Sequence, residues 1–126
     1  MPEQVQSTQN QDSKLYDLEE RTLRFAAATL QFVKAVPKTV GNTEVAKQLV
    51  RSSGSVGANY IEANEALSKK DFAMRVKICR KESKESRYWL SLIEPGEQDG
   101  EATRQALIDE ATQLMKIFGA ILEKSK

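Results

Sequence analysis

Apolar and small residues in this chain recur at alternating steps of three and four. The clearest run is Phe72, Val76, Cys79, Ser83, Ser86, Leu90 and Ile93. Such spacing places every member on one side of an α-helix, whereas a half-buried strand would need a period of two. Leu15, Leu18, Thr22, Phe25, Thr29, Phe32 and Val36 repeat the pattern in an earlier segment. Leu107, Ala111, Leu114, Phe118 and Ile121 repeat it in a later one, with Ile108, Met115 and Leu122 beside them. Strand-like alternation and internal repeats are both absent from the sequence.

Helix-breaking residues divide this pattern. Pro37 ends the first helix and "PKTVGN" predicts a turn, with Asn42 as N-cap of the second helix and Glu44 in its first turn. "SKKD" at 68–71 is a capping-box-like start for the third helix, with Asp in the usual Glu position. Pro95 and Gly96 stop that helix, and the last runs from about residue 102 to 124. Four helices of about 20 to 25 residues joined by short connections predict an all-α, antiparallel up-down-up-down four-helix bundle over 14–126. Residues 1–13, rich in Gln, Ser, Thr and Asn, are expected to form a flexible polar tail. The apolar stripes of the first and last helices are wider than one seam needs: Phe25, Leu30, Phe32 and Val33 on one, Ile117, Phe118, Ile121 and Leu122 on the other. A stripe that wide faces either the bundle core alone or a second subunit as well.

The chemistry available is narrow. The sequence has no histidine and one cysteine, Cys79. That removes the commonest general base, the Ser-His and Cys-His nucleophile pairs and the usual zinc sites. We therefore expect no catalytic residues, no cofactor and no metal. Nineteen basic against eighteen acidic residues leave a net charge of +1, so bulk charge points neither to nucleic acid nor to a membrane. No apolar run approaches the ~20 residues that span a bilayer, and the N-terminus has no signal-peptide pattern. With no disulfide to form within the chain, these features suit a cytoplasmic protein without membrane contact.

"SSGSVGANYIEANEA" at 52–66 resembles a phosphate cradle in its first half. A phosphate loop, however, follows a strand and ends in Gly-Lys-Ser/Thr. Here Val45, Leu49, Val56, Asn59, Ala63 and Ala66 keep helical register through the stretch, so it reads as one helix. Two glycines inside a helix cost about 1 kcal/mol each relative to alanine. Close approach of a neighbour offsets such a cost, and the pairs Ser53/Gly57 and Gly54/Ala58 leave room for one. Polar residues also fall on or near the seams. Ser52, Ser55, Asn59 and Glu62 on the second helix are placed to meet Glu82 and Ser86 on the third, as a register-fixing network. The other reading of these positions is a polar ligand or metal cleft formed by Asn59, Glu62, Glu82 and Glu85.

Between 69 and 88 the third helix carries eight bases against three acids. Lys70, Lys77 and Lys84 repeat every seven residues, as do Arg80 and Arg87, with Arg75 and Lys81 between. This stripe, about 25 Å long at helical rise, is suited to phosphate backbones. The opposing reading is that the acids after Ile93, Asp109 and Glu110 among them, neutralise it. Exposed, unpaired Lys77, Lys81 and Lys84 would favour binding; contact with Asp109 or Glu110 would count against it. Trp89, one step before the seam residue Leu90, reads as a packing residue.

"QLVRSSGSVGANYIEANEALSKKDF" followed by "KICRKESKESRYWLSLI" resembles the four-helix-bundle proteins of intervening sequences in bacterial 23S rRNA genes. That family also includes the accessory variability protein of diversity-generating retroelements. The resemblance covers about 15–123 and is carried by Ser55, Ala58, Asn59, Glu62, Phe72, Glu85 and Trp89. It implies an antiparallel bundle, a homopentamer, and a basic surface that binds RNA, DNA or a reverse transcriptase. The reading from sequence is thus a non-enzymatic self-assembling bundle that presents a basic helix-3 stripe. The alternative is a purely structural or adaptor oligomer without nucleic-acid binding.

Overall fold

A computed structural model describes the backbone of residues 3–126 and the side chains of residues 18–126. Of the tail expected over 1–13, the backbone of residues 3–13 belongs to the first helix, and residues 1 and 2 lie outside the described residues. Among the described residues there are four helices and no strand: α1 (Glu3–Ala35), α2 (Val40–Asn64), α3 (Lys69–Leu92) and α4 (Gln98–Lys124). Each helix packs on its two cyclic neighbours, α1 on α2, α2 on α3, α3 on α4 and α4 on α1, and across the core Tyr60 of α2 meets Phe118 of α4, ring centroids 5.8 Å apart. Short turns reverse the chain each time, so neighbouring helices run antiparallel.

The seams enter the core much as their spacing predicts. Val76, Cys79, Ser83, Ser86, Leu90 and Ile93 are buried, as are Leu107, Ala111, Leu114, Phe118 and Leu122 of α4. Phe72 and Ile121 are half-buried at the edges of the same cluster. The broad stripe of α4 is used up inside the subunit, since Ile117 and Ile121 pack on the core. On α1, Phe25 and Phe32 are buried, but Leu23 is 67% and Leu30 42% exposed. That face is left without a partner within the subunit.

Hydroxyls on the seams are satisfied locally. Thr22 Oγ1 donates to the Leu18 carbonyl at 2.7 Å, Thr29 Oγ1 to Phe25 at 2.8 Å and Ser83 Oγ to Cys79 at 2.9 Å. Each bond returns to the preceding helical turn, which removes the penalty of burying an unpaired polar group. The α2–α3 interface, where Ser52 meets Ser86 and Cys79 meets Val56, is the most extensive in the bundle.

Two sequence expectations about α2 need correction. The N-cap is Thr39, whose hydroxyl accepts the Asn42 N–H at 3.0 Å. Asn42 lies one turn inside the helix, 3% exposed, and joins two loops: its Nδ2 donates to the Pro37 and Glu94 carbonyls, and its Oδ1 accepts from Glu94 N, all at 2.9 Å. A cap signal and a buried clamp use the same side-chain chemistry, so local sequence could not separate them. The glycines also differ. A Cβ on Gly57 would stand 2.8 Å from Thr22 Oγ1, so α1 crosses closely there, whereas a Cβ on Gly54 would meet nothing within 4 Å. Nothing within the subunit explains glycine at 54.

Ser68 caps α3 as expected, accepting the Asp71 N–H at 3.0 Å. At the other end Arg104 of α4 donates Nη1 to the Leu90 and Ser91 carbonyls, two of the acceptors that every helix C-terminus leaves open. Its Nε and Nη2 hold Glu101, at 2.9 and 3.0 Å, and the Glu101 carboxyl lies below the ordinary carboxylate range because of Arg104 first and Gln105 second.

Candidate nucleic-acid interface on α3

With its core face turned inward, α3 exposes the opposite line of residues. Lys70, Lys77, Lys81, Lys84 and Tyr88 are separated by sevens, threes and fours, and all are exposed. They extend along about 27 Å of the helix. Lys77 and Lys84 form no ion pair among the described residues. Lys81 reaches Glu82 and Glu85 of its own helix only at 4.0 Å. None of the three meets Asp109 or Glu110. Glu110 is engaged from the far side by Arg21 of α1, with Nε to Oε2 at 2.6 Å and Nη2 to Oε1 at 2.9 Å. A bidentate guanidinium–carboxylate pair of this kind leaves little of Glu110 for a lysine.

The arginines behave differently. Arg80 is exposed, and its stem lies within 4.0 Å of where a Cβ on Gly119 of α4 would stand. Arg87 is half-buried and donates to Thr112 Oγ1 of α4 at 3.4 Å. Arg75 turns to the other flank, where Nη1 donates to Asn59 Oδ1 of α2 at 3.1 Å. The exposed stripe is therefore a lysine line flanked by Arg80, with Arg87 and Arg75 each drawn into an interhelical contact.

Only some of the network expected between α2 and α3 comes together. Ser52 and Ser86 hydroxyls meet at 2.9 Å. Because Ser52 donates to the Leu49 carbonyl at 3.2 Å, its lone pair is free to accept from Ser86. Asn59 donates to the Ser55 carbonyl at 2.9 Å, so Ser55 takes part through its backbone. Glu62 is exposed and joins neither group. Glu82 is buried, and its Oε1 has no hydrogen bond among the described residues, although Arg51 Nη1 lies 3.6 Å away. Geometry puts that contact beyond hydrogen-bond range but well within Coulombic reach. Arg51 also donates to Glu85 at 3.3 Å. Asn59, Glu62, Glu82 and Glu85 thus do not converge on a common point, and among the described residues no group of three or more Cys, Asp or Glu could hold a metal.

Sequence reasoning missed Arg51 altogether, and it placed Arg75 in the basic stripe without its α2 partner. Each sits off its seam, at the flank where two helices meet, and periodicity marks only the centre of a face.

The remaining features are structural. Cys79 donates to the Val56 carbonyl at 3.4 Å, and burial pushes its thiol up to about 12. Burial also raises the Tyr60 phenol, with Glu19 adding to the rise and Asn64 opposing it. Trp89 packs against the core, its Nε1 buried and without a partner among the described residues. It holds Tyr88 edge-on, ring centroids 4.9 Å apart at 77°. A shallow apolar groove lined by Val33, Val36, Pro37, Ala46 and Val50 lies at the α1–α2 junction. No helix among the described residues is long and apolar enough to cross a membrane.

Comparison with known proteins agrees with this architecture. The family model described as "23S rRNA-intervening sequence protein" matches residues 14–120. A similar solved structure is the crystal structure of a protein of unknown function from the S23 ribosomal protein family of Bacteroides thetaiotaomicron. It is 28% identical, with a TM-score of 0.73 over 87% of this chain and 98% of that one. No curated protein matches.

Proposed function

The chain belongs to the 23S rRNA-intervening sequence protein family, and from that premise we propose that it is a non-enzymatic, self-assembling four-helix bundle whose α3 lysine line binds the phosphate backbone of RNA or DNA. One observation carries the binding reading: Lys77 and Lys84 are exposed without an acidic partner among the described residues, and of the two acids expected to neutralise them, Asp109 meets neither and Glu110 is held by Arg21. A reverse transcriptase with bound nucleic acid would meet the same surface. Assembly draws support from the face of α1, where Leu23 and Leu30 remain uncovered. Five subunits is the number we propose, following the sequence resemblance.

Sedimentation velocity with a labelled structured RNA and a labelled DNA duplex, at low and near-physiological salt, tests both parts. We expect a single defined oligomer. We also expect co-sedimentation that weakens with salt, because each neutralised phosphate releases counterions. Replacing Lys77, Lys81 and Lys84 with glutamine should abolish it without changing the oligomer. An oligomer that leaves both nucleic acids behind at low salt overturns the binding part, and the second reading, a scaffold for another protein, then stands.

A further inference from the structure

The lysine line does not end in a lysine. Four residues after Lys84 and seven after Lys81, the same line carries Tyr88, 59% exposed. Resting on the phosphate-binding reading, we propose that Tyr88 is a stacking platform for an unpaired base, so that the preferred ligand of α3 is single-stranded nucleic acid.

Three observations support this reading. Tyr88 lies about 6 Å along the axis from Lys84, so a strand whose phosphates follow the lysines brings its bases to the Tyr88 level. The ring is held by its edge-on contact with Trp89, which is itself packed against the core, so little side-chain freedom is lost on binding. A duplex hides its base faces in the stack, so reaching them costs unstacking, whereas an unpaired base offers its π-face freely. The lysines supply charge without reading sequence, and an aromatic platform accepts any base. The resulting preference is for strandedness and not for a motif. Tyr88 and its exposed neighbour Leu92 could instead belong to a protein contact, and the test distinguishes the two.

The measurement is fluorescence anisotropy of the full chain with three labelled probes of equal length: oligo-dT, its abasic counterpart and a duplex. The expected order is oligo-dT tightest, with abasic strand and duplex weaker. Tyr88→Ala should lower affinity for oligo-dT by roughly five- to a hundredfold, down to the abasic level. Its salt dependence should not change, since no phosphate contact is lost. Tyr88→Phe should retain the preference, and Lys84→Gln should reduce the salt slope on all three probes. Equal binding of dT and abasic strands, unaffected by Tyr88→Ala, overturns the stacking inference and leaves the phosphate-binding reading in place. Loss of the oligomer in Tyr88→Ala with nucleic-acid affinity unaltered assigns the ring to a subunit contact and also overturns it. Failure of every probe to bind removes the phosphate-binding reading and the stacking inference together.

Discussion

Alanine at Gly57 and alanine at Gly54 should shift stability in opposite directions, although both glycines lie in the middle of α2. At Gly54 nothing stands within 4 Å of the added methyl, so only the helix-propensity gain remains. That gain stabilises the fold by about 0.5–1 kcal/mol, which raises Tm by about 2–4 °C for a chain of this size. At Gly57 the same gain meets Thr22. The new methyl would sit 2.8 Å from Oγ1 and 3.2 Å from Cβ of a side chain that is fully buried and bonded to the carbonyls of Leu18 and Glu19. Thr22 is β-branched, with one strongly restricted χ1, and turning Oγ1 away would forfeit both bonds. Shifting α1 outward would loosen a close-packed contact instead. Overpacking of this kind costs about 1–3 kcal/mol, so a net destabilisation of about 1 kcal/mol is expected. Urea unfolding followed by far-ultraviolet circular dichroism, at one fixed protomer concentration, measures both variants against the parent. Thr22→Ala in the Gly57→Ala background should restore part of the loss, as a double-mutant cycle would register. Equal stabilisation by both alanines would refute the close α1–α2 crossing on which the reasoning rests.

Asn42→Ala should destabilise the bundle by about 2–3 kcal/mol, because the Glu94 N–H and the Pro37 and Glu94 carbonyls lose their partner at a buried position; the same unfolding experiment measures it. Cys79 gives an alkaline signature. Its folded thiol keeps its proton to about pH 12, while the unfolded thiol ionises near 9. The stability it contributes is therefore present below pH 9 and declines above that, by about 1 kcal/mol between about pH 9 and 10, with the slope approaching about 1.4 kcal/mol per pH unit above about pH 10. Cys79→Ala should flatten that stretch of the stability–pH curve, and an unchanged slope would count against a buried thiol. In the native protein at neutral pH the thiol should also resist alkylation.

The helices were legible because each is a local object. Steps of three and four marked the buried lines of α3 and α4, Ser68 marked a start, and Pro37 and Pro95 marked stops. The lysine line was legible for the same reason, since positions four and seven apart on one helix share a face whatever surrounds it. Interhelical partners were less accessible. Glu110 looked available to neutralise α3 until Arg21 was found holding it from α1. Arg75 looked like part of the stripe until it was found reaching Asn59.

By itself, then, the sequence determined the number of helices, their inward faces, the poverty of catalytic groups and the presence of a basic line. Only the tertiary structure decided which glycine sits under a crossing helix, which asparagine clamps two loops, and which cations of α3 are drawn into contacts with neighbouring helices. The physical reason is range. Backbone periodicity and capping are settled within one or two turns of chain, while the fate of a charge or a glycine depends on side chains distant in sequence that packing brings within a few ångströms.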